Sequence, residues 1–235
     1  MENKRGQLTI FIIVAVAIIV LVLVFYFGVF RNTQTRNEND AKAIKAYITD
    51  SIETRIINNI LLVSNQGGYG LVPDEHFLTP FYQVGFWVNG NETFYPSLTE
   101  IEGNINYLNY LLGDIDLNTV FPGYNITTGA LHTNTTILPE KVIVSIDWPI
   151  TIRKGNSVQT LDKFDYTYNI RLGRLYNEAA QVAEAVANRN LPENINPEFN
   201  LTIYQYDDAS LYEIKDTNKN YGINNEYFTL VFAGK

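Results

Sequence analysis

The chain has no cysteine, a single methionine and two histidines in 235 residues. Without cysteine there is no disulfide, no thiolate metal site and no cysteine nucleophile. With only His76 and His132 there is little neutral-pH base chemistry to distribute, and neither lies in an HExxH spacing that would set two ligands on one helix face. Nucleophile elbow, Walker loop and GxGxxG are also missing; Gly67, Gly68 and Gly70 follow a helical pattern rather than linking a strand to a helix. Positive charge is scarce. Residues 31–235 carry 15 Lys and Arg against 24 Asp and Glu, a charge of −9. Nucleic acids and anionic lipid surfaces attract basic faces, so neither is an expected partner of this region.

One long apolar run stands out against that acidic background. Leu8 to Phe30 is free of charge. As a helix it would measure roughly 34 Å, enough for a hydrocarbon core of about 30 Å. A cleaved secretory signal would have a shorter apolar stretch and a small-x-small site, which Phe27-Gly28-Val29-Phe30-Arg31 does not offer. The run therefore predicts a transmembrane helix over 8–30, with the lipid bilayer as its partner. Flanking charge does not orient it: Lys4 and Arg5 precede it, while Arg31, Arg36, Lys42 and Lys45 follow. Long domains translocate largely regardless of charge.

Residues 31–40 have poor helix propensity and no apolar residue, so they read as a short polar linker. From Ala41 an amphipathic helix is expected, with Ile44, Ile48, Ile52, Ile56 and Ile60 at i, i+4 spacing and a stop at Gly67-Gly68. Asn89-Gly90 between apolar runs signals a hairpin. Ser97-Leu98-Thr99-Glu100 is a capping box for a second helix. Val142, Val144, Ile146 and Trp148 alternate with polar residues, and Phe164, Tyr166 and Tyr168 do the same on a partner strand. A third helix is expected over Leu172 to Asn190, then three short strands. The expected fold class is α+β: an N-terminal transmembrane helix followed by a globular domain of about three amphipathic helices and antiparallel hairpins. The organisation is a short cytoplasmic segment 1–7, the span 8–30, the linker 31–40 and an extracytoplasmic domain 41–235.

The start, Lys4-Arg5-Gly6-Gln7-Leu8-Thr9-Ile10-Phe11, resembles the class III signal of archaeal type IV pilin-like proteins. The resemblance implies cleavage between Gly6 and Gln7, with the apolar helix kept and the domain outside the cytoplasm. Filament-forming pilins usually place a glutamate five residues into the mature chain; Phe11 stands there. Together with Gln66-Gly67-Gly68-Tyr69, Val144-Ser145-Ile146-Asp147-Trp148-Pro149 and Val231-Phe232-Ala233, this start resembles a group of single-pass membrane proteins of small-genome archaea. That likeness brings no activity with it.

Asn91, Asn125, Asn134 and Asn200 each head an Asn-x-Thr sequon and are glycosylation candidates. With 27 Asn and 26 Ser or Thr in the chain, chance alone supplies about three sequons, so they do not argue for topology. Two acidic stretches imitate calcium loops. Thr119 replaces the glycine required after Asp114-Ile115-Asp116-Leu117-Asn118, and Gly222 comes one place late after Asp216-Thr217-Asn218. No catalytic residue, metal ligand, cofactor or small-molecule ligand is expected. The tyrosines at 107, 110, 204, 206 and 212 read either as core or as a recognition surface. The expected function is non-enzymatic: a membrane-anchored extracytoplasmic domain mediating cell-envelope or surface-protein interaction. A pilin-like subunit or minor component of a type IV filament system is the alternative, and a membrane-tethered enzyme the second alternative.

Overall fold

The structure, a computed structural model, describes residues 4–155, 157–190, 195–223 and 225–235, with side chains at 4–17 and 25–41 left outside the description. Helix α1 runs without a break over Lys4–Asn65, 62 residues or roughly 93 Å. Its backbone takes in residues 31–40, where a linker was expected. The isoleucine stripe is realised: Ile44, Ile48, Ile52, Ile56 and Ile60 are at most 2% exposed. The i, i+4 spacing keeps them on one helical face, which packs against the rest of the domain.

Strands β1 (His76–Leu78), β2 (Gln83–Asn89) and β3 (Glu92–Thr93) follow. Asn89 and Gly90 turn β2 into β3, with Gly90 at φ 62°. Ser97 then caps α2 (Leu98–Tyr110) in a full capping box with Glu100. The single-turn α3 (Leu117–Val120), β4 (Asn125–Thr128) and β5 (His132–Ile137) come next. They lead to the long strands β6 (Val142–Lys154) and β7 (Ser157–Tyr168), helix α4 (Leu172–Ala187) and the closing strands β8 (Phe199–Gln205), β9 (Ser210–Asp216) and β10 (Thr229–Gly234).

Two sheets result. The first is ordered β1-β2-β10-β9-β8, with β3 on β2; the second centres on β6, flanked by β7 and, end to end on its other edge, by β5 and β4. Along β6 burial alternates from Val142 to Ile152, even across the register shift between Asp147 and Ile150 that holds Trp148 and Pro149. Helix α1 packs against α2, β10, β6 and β7, so it joins the two sheets, while α4 covers β2, β9 and β10. Tyr166 on β7 donates to the Thr49 carbonyl at 3.0 Å, and Asn59 on α1 donates to Asn109 on α2 at 2.9 Å.

The expected fold class needs correction. Strands and helices are both extensive, so this is a mixed α/β fold with extensive sheets rather than three helices with hairpins. The first sheet is closed by a parallel pair, β2 with β10, nearly 150 residues apart in sequence. A hairpin-by-hairpin reading counts only neighbours and cannot see that pairing. Among the described residues, moreover, no helix is long and apolar enough to cross a membrane. Of the run 8–30 only the side chains of residues 18–24 are described, about 10 Å of helix, against the roughly 20 residues that a crossing needs. The rest of the expected span lies outside the described side chains.

Where α1 ends, the glycines do what their sequence position promised. Gly67 and Gly68 adopt φ of 73° and 86°, and the Gly68 N–H closes back on the Val63 carbonyl at 2.8 Å. A Cβ on Gly68 would meet Ile101 and Pro96 at 2.9 Å, so the helix end seats directly on α2. The Gly67 carbonyl accepts from Trp87 Nε1 at 2.8 Å, which fastens the same corner to β2.

Burial pushes the Tyr166 phenol up to about 12, with the charges of Glu53 and Asp50 adding to the effect; Tyr168 beside it is raised for the same first reason. The unfolded phenol ionises near pH 10. The folded state therefore holds a proton that the unfolded state has lost, and stability present below about pH 10 should drain away as pH rises toward 12. Urea midpoints recorded from pH 9 upward should fall more steeply for the parent than for Tyr166→Phe; equal slopes would contradict this.

Candidate functional site

The outer face of the first sheet, turned away from α4, is where apolar surface is left uncovered. Val84, Leu211, Val231 and Ala233 form a small second core there, at most 7% exposed, beneath Phe77, Tyr82 and Phe86. The segment 77–82 folds back through Thr79, whose Oγ1 accepts the Tyr82 N–H at 3.0 Å. Beyond it Leu71, Leu78 and Phe81 stand 70%, 71% and 90% exposed. Tyr206 lays its ring 4.7 Å from that of Phe77, and Tyr204 donates to Glu213 at 3.3 Å. Burial, then the Glu213 charge, raises the Tyr82 phenol; for Tyr204 the Glu213 charge comes first. These phenols therefore stay neutral donors well into alkaline conditions. Apolar rings with polar ends, exposed in a group, are what protein interfaces use.

The tyrosines divide accordingly. Tyr107, Tyr110, Tyr204 and Tyr206 are exposed, while Tyr212 is buried and stacked on Phe232 at 4.9 Å. Phe81, Leu78 and Leu71 were not singled out from sequence. Their signal was an apolar segment interrupted by Pro73 and Pro80, too broken for a helix or a long strand.

The solvent face of the second sheet carries a polar groove of about 340 Å³. Register sets His132 opposite Asp147 and Asp147 opposite Lys163; Asn134, Ser145 and Asp165 form the next row. Serine, histidine and aspartate thus share a face. Among the described residues, however, no hydrogen bond links them, and a working nucleophile needs a base in contact with it. The other histidine, His76, faces the Pro73 carbonyl through Nδ1 at 2.9 Å, so that nitrogen carries the hydrogen.

Each calcium-like loop has one aspartate engaged by neighbouring donors of the fold. Asp116 caps α3, accepting from Thr119 Oγ1 at 2.6 Å and from the Asn118 and Thr119 amides, which hold its carboxyl below the usual range. Asp216 is fully buried and spent on Arg171: Nε reaches Oδ2 at 2.7 Å and Nη2 reaches Oδ1 at 2.5 Å. Arg171 also donates to Glu198 at 2.7 Å and lies between the rings of Tyr221 and Phe199, at 4.5 and 5.1 Å. Glu198 in turn receives Arg174. The pair with Asp216, then that with Glu198, raises the guanidinium above its ordinary value against the opposing effect of burial. Sequence reasoning missed this cluster, because its members lie up to 45 residues apart with no local pattern joining them.

All four sequon asparagines are exposed: Asn91 just past the β2–β3 turn, Asn125 opening β4, Asn134 in the polar groove and Asn200 on β8. Gly6 and Gln7 lie in the backbone of α1, with their side chains outside the description. No protein-family model, no curated protein and no solved structure matches the chain.

Proposed function

We propose that the protein is held at the cell membrane by its apolar run, residues 8–30, with lipid as the partner of that run, and that the domain from residue 41 onward works outside the cytoplasm as a non-enzymatic interaction module of the cell envelope. The observation that supports this most is the state of Ile18–Val24. Seven consecutive aliphatic side chains are 48–69% exposed, and they cover nearly two turns, hence every side of the helix. A helix that is apolar all round belongs in an apolar surrounding. At about −0.3 to −0.6 kcal/mol each on insertion, these seven alone favour lipid by roughly 2–4 kcal/mol. The exposed aromatic group on the first sheet supplies the interaction surface. Protease added to intact cells is expected to digest the domain and leave a membrane-protected N-terminal fragment. A domain that survives until the cells are lysed would overturn the outward placement.

A second reading has its own support. Because α1 is continuous from Lys4–Asn65, the apolar run and the domain share one spine, as a pilin-like filament subunit would require. Mass spectrometry of the mature chain decides: a start at Gln7 favours this reading, and a start at Met1 or Glu2 removes it.

A further inference from the structure

The first sheet ends on β8, and that edge is left open. The Asp216 N–H bonds to the Phe228 carbonyl at 2.9 Å, away from β8, and the Tyr206 N–H bonds inward to the Ala209 carbonyl at 2.9 Å. Alternation along an antiparallel strand then turns the N–H and C=O of Asn200, Thr202 and Tyr204 toward β9, and those of Leu201, Ile203 and Gln205 outward. Among the described residues nothing pairs with that outward row.

Sheet edges are ordinarily blunted by brevity, charge or proline. Strands β1 and β3 are only three and two residues long. Strand β7 carries Asp162, Lys163 and Asp165. Strand β8, Phe-Asn-Leu-Thr-Ile-Tyr-Gln, has seven residues with no charge, no proline and no glycine. Leu201 and Ile203 are only partly buried on its core side, and Tyr204 and Tyr206 are exposed around it. Just past its end, Asp207 and Asp208 project into solvent beside a hollow of about 450 Å³ that Arg189 and Lys235 also line, with no ion-pair partner for either aspartate among the described residues.

We propose that the open edge of β8 takes up an extended peptide as a further strand of the sheet. Main-chain bonds to Leu201, Ile203 and Gln205 supply the pairing. Small apolar side chains of the guest cover Leu201 and Ile203, and a basic residue at its end meets Asp207 and Asp208. The occupant is thus a partner segment with an uncharged middle and a basic end. A second copy of this chain fits worse. Antiparallel self-pairing about Thr202 would bring Asp207 and Asp208 of each copy alongside Glu198 of the other, between domains that each carry −9. The proposal rests on reading the protein as an interaction module, yet it concerns the purified chain and is independent of which side of the membrane the domain occupies.

The test uses the full chain in detergent micelles and a fluorescent peptide of alternating threonine and valine, about as long as β8, with lysine at both ends. Anisotropy should show saturable binding that weakens with salt and is lost when glutamate replaces the end lysines. Ile203→Pro removes one outward N–H and none of the β8–β9 ladder bonds; it should weaken binding at least about tenfold in a chain that still unfolds cooperatively, with a midpoint lowered by the lost packing of Ile203. Peptides methylated on every other amide, in either register, serve as a check that leaves the protein unaltered: one register should fail to bind. Four results would overturn the proposal: no saturable binding to the parent, equal binding by Ile203→Pro, indifference to the sign of the peptide ends, or dimers in light scattering that Ile203→Pro abolishes.

Discussion

Replacing Arg171 by alanine is expected to lower stability by about 3–5 kcal/mol. The reason is asymmetric. Asp216 is fully buried and both its oxygens face the guanidinium, so the variant strands a carboxylate in the core with, among the described residues, only the Asn218 amide at 2.8 Å for company. Stacking of the guanidinium between Tyr221 and Phe199 goes as well. Arg171→Lys should recover little, because an ammonium cannot make the two-pronged contact or lie flat between rings. The double change Arg171→Met with Asp216→Leu should restore most of the loss, since apolar replacements of a buried pair are often neutral or stabilising. Urea unfolding of the three variants in micelles measures this; a double variant no better than the single would mean that the pair itself, rather than the stranded charge, carries the stability.

Trp87→Ala should cost a similar amount, about 3–5 kcal/mol. Trp87 is fully buried where α4, β10 and the end of α1 converge. Its ring stacks on Phe232 at 4.8 Å, touches Tyr95 and Tyr176, and donates to the Gly67 carbonyl. Trp87→Phe separates the contributions. It keeps an aromatic ring against Phe232 and loses the hydrogen bond, so roughly 1–2 kcal/mol is expected. Near-UV circular dichroism during urea unfolding reads both. Equal losses for the two variants would place the whole effect in what both lose, the hydrogen bond to Gly67 and the extra volume of the indole, and none in the ring that phenylalanine keeps.

The sequence was most legible where a pattern is local. The i, i+4 isoleucines, the Ser97–Glu100 box and the alternation of β6 each record their element within one or two turns or a single pleat, and each lies where it was expected. What escaped was either non-local or polar. Strands β4, Asn-Ile-Thr-Thr, and β5, His-Thr-Asn-Thr-Thr-Ile, hold so little apolar residue that composition reads them as loop; they become strands because β6 offers them an edge. The parallel closure of β2 by β10 joins segments that share no local signal. At the candidate surface the tyrosines were visible but their sides were not, since one pleat separates buried Tyr212 from exposed Tyr204 on the neighbouring strand. That Asp216 serves an arginine 45 residues upstream leaves no trace in the acidic loop around it.

The unbroken course of α1 has a consequence for where the domain can reach. Ile44 is buried against the domain, and Phe30, the end of the apolar run, is 14 positions earlier on the same helix. That interval is a stand-off of roughly 21 Å. A flexible tether of equal residue count would cover a comparable mean distance, about 20 Å, but in every direction. The helix fixes the heading as well as the distance. Turning the apolar segment about its axis turns β8 and the aromatic face through the same angle, so a partner meets them at one height and one bearing.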